Sequence, residues 1–366
     1  MKKTILFLVF CYSLVVFAQK AEPSKVYFTS DISAEGLLKV FAYIQDEAKG
    51  NIAFKVHFGE EGNKNFLSPL LMKDLVLLLG ATFVETNVLY VSKRRYTDSH
   101  IQLARDHGFT YAPIDILDSD GDSVVQCSTK HYNKVFLGKH FFDYDTYVIF
   151  SHFKGHGSAG FGGAIKNVGM GLASIAGKMA LHASDIPGTK PDKCINCGVC
   201  VRECPAGAIT LDPLTIDKSK CIGCAKCIGE CPVQAFTIPW ASTDGNVFLE
   251  RLVEYTYVMM NLRKMIYVNV LANISRSCDC SKHAPEPFME DIGILVSTDI
   301  VAIEQASHDL VDSRCKCDDA FVKAGNPSGK HQIEYAAQLN MGNMNYVLID
   351  IDKKKKKKKK KGVSRN

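Results

Sequence analysis

The chain lacks the signatures of several common enzyme classes. It has no Gly-x-x-x-x-Gly-Lys-Ser/Thr segment and no Gly-x-Ser-x-Gly turn, so neither a phosphate-cradling P-loop nor a serine nucleophile elbow is available. Its glycine-rich stretch Gly160-x-Gly162-Gly163 lacks the full dinucleotide spacing and the later acidic partner. Positive charge is also missing from the body of the chain. The formal net charge is +5, but Lys353 to Lys361 and Arg365 contribute ten positive charges and nothing after Asp352 is acidic. Residues 1–352 are therefore mildly acidic, which removes the main reason to expect a nucleic-acid partner. The opening apolar run, Thr4 to Phe17, falls short of the roughly 20 residues that span a bilayer.

That run has the marks of a secretory leader. Lys2 and Lys3 precede it, and Val16 and Ala18 supply a small-residue cleavage site before Gln19. The leader holds no twin-arginine pair, and Cys11 lacks the small neighbours of a lipid-attachment site. Residues 1–18 are thus expected to be a signal peptide directing an exported, periplasmic or extracytoplasmic protein. If the leader is kept, the chain is membrane-anchored or cytoplasmic, and the leader is its only membrane contact. Loss of Cys11 from the 14 cysteines leaves an odd number, so a complete disulfide framework is not available.

What is present is an alternation of short apolar runs with helical patterns over 24–187 and again over 241–352. Strands are expected at Lys25–Phe28, Ile52–Phe58, Thr82–Glu85, Ile114–Leu117 and Tyr147–Phe150, with helices at Ser33–Ala48, Pro69–Leu79, Asp98–His107 and Gly163–His182. After a break at Ile186–Pro191 and a cysteine-dense stretch, the pattern resumes. A helix at Val247–Met265 precedes strands at Ile266–Ile274 and Ile292–Ser297, a helix at Ile300–Val311, a helix near His331–Leu339 and a strand at Tyr346–Ile351. Strand–helix–strand order predicts an α/β domain with a largely parallel sheet. A small cysteine module over 188–240 is inserted into it, and the lysine run over 353–366 is expected to be disordered by self-repulsion.

Within the module, Cys194, Cys197, Cys200 and Cys204 are spaced C-x2-C-x2-C-x3-C before Pro205. Cys221, Cys224, Cys227 and Cys231 repeat the spacing 27 residues later, before Pro232. A zinc site wants two pairs of ligands, not four in this proline-ended run repeated twice. Three thiolates on a tight loop grip three corners of an iron–sulfur cubane, and the fourth reaches across to the other cluster. The spacing therefore assigns Cys194, Cys197, Cys200 and Cys231 to one [4Fe–4S] cluster, and Cys221, Cys224, Cys227 and Cys204 to a second. Gly198 and Gly223 keep the loops free of bulk near the cluster sulfurs.

Residues 190–240 resemble the bacterial-type two-cluster ferredoxins at all eight ligand positions. Their near-balanced charge, six basic and five acidic side chains over 188–240, suits an internal relay better than an acidic stand-alone shuttle. Beyond the module the chain resembles the DUF362 family, whose members often carry ferredoxin inserts. The matching stretches are Lys55–Asn63, Glu85–Thr97, Ala104–Phe109, His152–Gly171, Cys278–Cys280, Asp291–Ser307 and Glu334–Gly342. The resemblance implies a fold and clusters rather than a reaction.

Candidate chemistry sits after the apolar strand Tyr147–Phe150, where His152, Lys154 and His156 precede a glycine-rich turn and Lys166-Asn167 opens the next helix. Ligands of open α/β sheets bind at such strand ends, and a helix start with glycines favours anions. An anionic substrate or a metal is expected there, with His57 and Glu60 near the same crevice. Their alternative roles are plain turn residues and solvated loop polars. Cys278/Cys280 and Cys315/Cys317 form two C-x-C pairs that make either a third, four-thiolate metal site, disulfides or free thiols, or a two-cysteine contribution to the main crevice, and Cys127 is assigned to the core. The expected activity is iron–sulfur electron transfer, with a redox partner protein or small-molecule electron donor or acceptor, feeding an oxidoreductase of unknown substrate. The alternatives are a non-catalytic electron carrier and a non-redox enzyme with structural clusters.

Overall fold

A computed structural model of the protein describes residues 22–240, 242–283 and 285–353. The expected leader and nearly all of the lysine run lie outside the described residues. Among those described, no helix is long and apolar enough to cross a membrane.

The body is built on eight strands: β1 Ser24–Thr29, β2 Ile52–Lys55, β3 Thr82–Glu85, β4 Ile114–Ile116, β5 Thr146–His152, β6 Lys264–Leu271, β7 Gly293–Ser297 and β8 Tyr346–Asp350. Their order in the sheet is β8-β1-β7-β6-β5-β2-β3-β4. Every neighbouring pair is parallel except those made by β7, which runs against both β1 and β6. The fold is therefore α/β with a largely parallel, mixed sheet.

Strand β5 is buried at all seven positions, as a central strand covered on both faces must be. Val148 and Phe150 point into one core, with Phe54, Phe83 and helices α1 (Ala34–Phe41), α2 (Pro69–Leu79) and α3 (Thr97–Asp106). Tyr147 and Ile149 point into the other, with α4 (Ala164–Gly169), α5 (Ile175–His182), α6 (Gly245–Leu262), α7 (Ile300–Cys315) and α8 (Lys330–Gln338) on that side. Each large side chain so buried contributes roughly 1.5–3 kcal/mol, which pins the strand register because a one-residue slip would exchange the two cores.

Local signals set the helix ends. Ser33, Ser68, Asp244 and Asp299 accept backbone N–H groups in the first turns of α1, α2, α6 and α7. Gly80 closes α2 in the left-handed region at φ 58°.

Several elements differ from the sequence pattern. The single helix expected over Gly163–His182 is two, because Thr86 accommodates the break: its hydroxyl lies 2.9 Å from both the Gly171 and Ala173 carbonyls. Ser174 then restarts the chain by capping α5. The helix expected over Ser33–Ala48 stops at Phe41, with a short 3-10 turn at Gln45–Glu47. Strand β2 leaves the sheet after Lys55, three residues early, and carries His57 away from the ladder. Two hairpins, Asp122–Gln126 with Lys134–Gly138 and Lys154–His156 with Gly160–Gly162, carry no strong alternation and were not expected.

Between α5 and α6 the chain forms short elements only. Gly188–Thr189 pairs with Phe236–Thr237, closing the segment on itself. Inside lie the pair Ile209–Thr210 with Thr215–Ile216 and two five-residue helices, Val199–Glu203 and Lys226–Glu230. Ile209, Leu214, Ile228 and Phe236 share a small apolar cluster with Leu89 and Met179 of the main body.

Candidate active site and metal centres

Strands β2, β3, β5 and β6 all end on one edge of the sheet. The chain runs outward from β2 to β4, then returns to β5 beside β2. Strand order reverses there, and a crevice at this point is where open α/β sheets take ligands. A cavity of about 840 Å³, mouth included, opens at that reversal. Lys55 reaches it from β2 and His57 from the loop just after it, Glu85 from β3, His152 from β5, and Lys166 and Asn167 from α4.

Most charges around the cavity are spoken for. Glu85 contacts Lys55 at 3.4 Å, Arg94 at 3.5 Å and His100 at 3.1 Å. Burial alone would raise this carboxyl, but Lys55, the His100 hydrogen bond and Arg94 outweigh it and hold it well below the usual range. Arg94 also pairs with buried Glu60 at 3.2 Å. Asp279, 1% exposed, meets His152 Nδ1 at 3.0 Å and Lys154 Nζ at 2.9 Å. Those two partners overcome its burial and keep it strongly acidic.

Lys166 is the exception. Among the described residues it makes no ion pair and no side-chain hydrogen bond, although it lines the cavity. Burial, and then the charge of Lys154, lowers it to about 7. The imidazoles of His57 and His156 are pushed well below their ordinary value by burial first, and His182 falls to about 3 for the same reason. His57 Nδ1 accepts the Gly59 N–H at 2.9 Å, and His156 Nδ1 accepts those of Ser158 and Ala159 at 3.2 and 3.0 Å. Each neutral ring therefore carries its proton on Nε2. One unpaired ammonium and two ring N–H donors in a partly enclosed space favour an anion.

The module holds two further cavities. One, of about 280 Å³, is lined by Cys194, Cys197, Cys200 and Cys231; the other, of about 350 Å³, by Cys204, Cys221, Cys224 and Cys227. All eight cysteines are free. Asn196 and Gly198 in one loop, and Gly223 and Ala225 in the other, take positive φ between 53° and 72°, which curls each loop around its thiols. Backbone N–H groups of Asn196, Ala208 and Ala235 point at the sulfurs of Cys194, Cys204 and Cys231, at 3.4, 3.3 and 3.2 Å. Burial raises the Cys200 and Cys224 thiols and pushes Cys227 up to about 12, with neighbouring thiols adding to the rise. Thiols so arranged keep their protons unless a cation compensates the thiolate charge. Each set can hold a metal centre.

The three cavities are joined by side chains. Arg95 donates to the Val88 and Leu89 carbonyls at 3.1 and 3.0 Å and to the Ala225 carbonyl at 3.1 Å. Leu89 lines the strand-end cavity and also packs in the apolar cluster of Cys200. Tyr96 donates to the Gly229 carbonyl at 2.6 Å.

A family described as a domain of unknown function, DUF362, matches residues 52–309. The chain belongs to the DUF362 family. No curated protein matches the sequence. Among solved structures it is similar to the lactate racemase apoprotein from Thermoanaerobacterium thermosaccharolyticum, at 12% identity and a TM-score of 0.34, over 67% of this chain and 50% of that one. It is also similar to a structural-genomics target from Thermotoga maritima, at 11% identity and a TM-score of 0.37, over 83% and 58%. The chain spans half the length of the first of these proteins and 58% of the second.

In this DUF362 chain His152, Lys154, His156 and Lys166 all line the cavity, but they divide in role. His152 spends both ring nitrogens, on Asp279 and on the Ala272 carbonyl at 2.7 Å. Lys154 is neutralised by Asp279. His156 and Lys166 face the space itself. Glu60 is a buried partner of Arg94 rather than a solvated loop residue. The four-thiolate site imagined for the C-x-C pairs is not formed: Cys278 bonds Cys280 and Cys315 bonds Cys317. Cys127 is half-buried and packs against the main core beside Tyr132. Lys55, Glu85, Arg94, Lys178 and Asp279 were not singled out from sequence. A lysine ending an apolar strand and an acid flanked by two cysteines were the available signals.

Proposed function

We propose that this DUF362 protein holds two [4Fe–4S] clusters, one on Cys194, Cys197, Cys200 and Cys231 and one on Cys204, Cys221, Cys224 and Cys227. It passes single electrons between a redox partner and a small anion in the strand-end cavity. The crossed sorting of the cysteines into two voids carries the reading, because that exchange of the fourth ligand is what the repeated spacing requires of a two-cluster site. No three of the eight sulfurs lie close enough to share one ion within 4.8 Å, among the described residues. A tetrahedral zinc would need sulfurs about 3.8 Å apart, given its ~2.3 Å bonds.

Bound, the clusters would supply one-electron transfer. The chain's own part is to receive the anion on Lys166, to orient it with the Nε2–H groups of His57 and His156, and to exclude water with Leu89 and Trp240. The anion pocket packed against the module favours an oxidoreductase over a carrier that only docks a partner. The leader, if cleaved, would put this chemistry outside the cytoplasm.

Anaerobic expression and reconstitution, followed by iron and sulfide analysis and EPR, tests the proposal. About eight irons and eight sulfides per chain are expected, with a signal appearing on dithionite reduction. Colourless protein carrying zinc in the cysteine cavities would end it.

A further inference from the structure

The C-x-C pair nearest the cavity has surroundings that a merely structural crosslink does not require. Cys280 lines the cavity, while Cys278 is buried behind it. Both sulfurs lie within 4.8 Å of one ring nitrogen of His156 and of each other. His156 Nδ1 accepts the Ser158 and Ala159 N–H groups, so the ring's own N–H donor is Nε2. Asp279, between the two cysteines, holds His152 and Lys154, so the small ring is anchored to the cavity wall on its far side.

A disulfide closing so short a loop removes little entropy from the unfolded chain, since that term grows with loop length. Its value to stability is small. Its position beside a histidine ring and a cationic cavity matches what thiol–disulfide chemistry needs: access for an attacking group, and stabilisation of the thiolate that leaves.

We propose that Cys278 and Cys280 are a redox-active couple facing the cavity, with His156 as the residue that positions the leaving sulfur and stabilises its thiolate through the ring N–H. The step takes a dithiol as reductant. One of its thiolates attacks the Cys280 sulfur, the Cys278–Cys280 bond breaks, and the electron pair leaves on Cys278, whose thiolate accepts a hydrogen bond from the neutral His156 ring. The second thiol gives its proton to Cys278, then as a thiolate displaces Cys280 and closes the reductant's own disulfide, so the dithiol is oxidised by two electrons as the pair is reduced by two. The couple does not depend on the clusters.

The molecule contains its own control. Cys315–Cys317 is another C-x-C disulfide, at the end of α7, and it does not line the cavity. Full-length protein would be equilibrated anaerobically in buffers of reduced and oxidised dithiothreitol, then acid-quenched and alkylated. Mass spectrometry would read each pair separately. Cys278 and Cys280 are expected to titrate together, with a two-electron slope, in protein that stays folded by circular dichroism. His156→Gln is expected to slow reduction of this pair about tenfold and to leave the rate at Cys315–Cys317 unchanged. The proposal fails if Cys278–Cys280 stays oxidised until the protein unfolds. It fails equally if His156→Gln slows both pairs alike or neither, or if freshly purified protein carries a stoichiometric metal on these two cysteines.

Discussion

Arg95 reaches the Ala225 carbonyl at 3.1 Å while holding the Leu89 carbonyl at 3.0 Å, so one guanidinium ties a cysteine-bearing loop to the wall of the strand-end cavity. It is 5% exposed, and burial opposes its charge. Three charge-assisted hydrogen bonds to backbone carbonyls offset that cost. Arg95→Leu is expected to lower stability by about 2–4 kcal/mol in urea unfolding and to weaken iron retention during desalting. Unchanged values for both would mean the module and the body are independent.

Asp279 joins His152 and Lys154 at the other side of the cavity. Removing its charge leaves a buried ammonium without a carboxylate, and breaking such a pair costs about 3–5 kcal/mol. Asp279→Asn should lose that much in equilibrium unfolding, whereas Asp279→Asn combined with Lys154→Met should recover part of it. A double variant no better than the single one would contradict the pairing.

Under the proposed function, Lys166 is expected to set the pH range of anion binding. With its ammonium lowered to about 7, the charged form that attracts an anion prevails below that pH and is lost above it. Binding of a probe such as phosphate or acetate, followed by calorimetry between pH 6 and 9, should weaken as pH rises. Lys166→Met should bind weakly at every pH. A wild-type profile that is flat over this range would exclude Lys166 as the anion's partner.

Glu304 on α7 is fully buried and accepts hydrogen bonds from Ala164 N at 2.5 Å and Asn269 Nδ2 at 3.1 Å. Burial raises it to about 7 despite those donors. The folded state therefore binds more protons than the unfolded one between the ordinary carboxyl value and about 7. Stability should fall as pH rises through that interval, by on the order of 3 kcal/mol in total, and level off above it. Urea midpoints from pH 4.5 to 8 would show the slope, and Glu304→Gln should flatten it.

Much of the fold was legible because burial on both faces leaves a plain mark. Strands such as Thr82–Glu85 and the helix Pro69–Leu79 were placed to the residue by apolar runs with Ser, Pro and Gly at their ends. The break at Met170–Ser174 was not, since Thr86, distant in sequence, receives the carbonyls that a continuous helix would have used. The direction of β7 was also hidden, because periodicity records which face a residue takes and not which way its strand runs.

The cysteine spacing was decided by sequence alone. Cysteines three and four residues apart share a loop whatever surrounds them, and the proline after the fourth turns the chain away. Tertiary structure alone decided which cavity residues are free. His152, Lys154, His156 and Lys166 look alike as a string, and only the arrival of Asp279 from the loop after β6 cancels the first two and leaves the others facing the cavity. Charge pairing at a few ångströms depends on distances through space, and those are set by how the strands line up rather than by how far apart the residues lie along the chain.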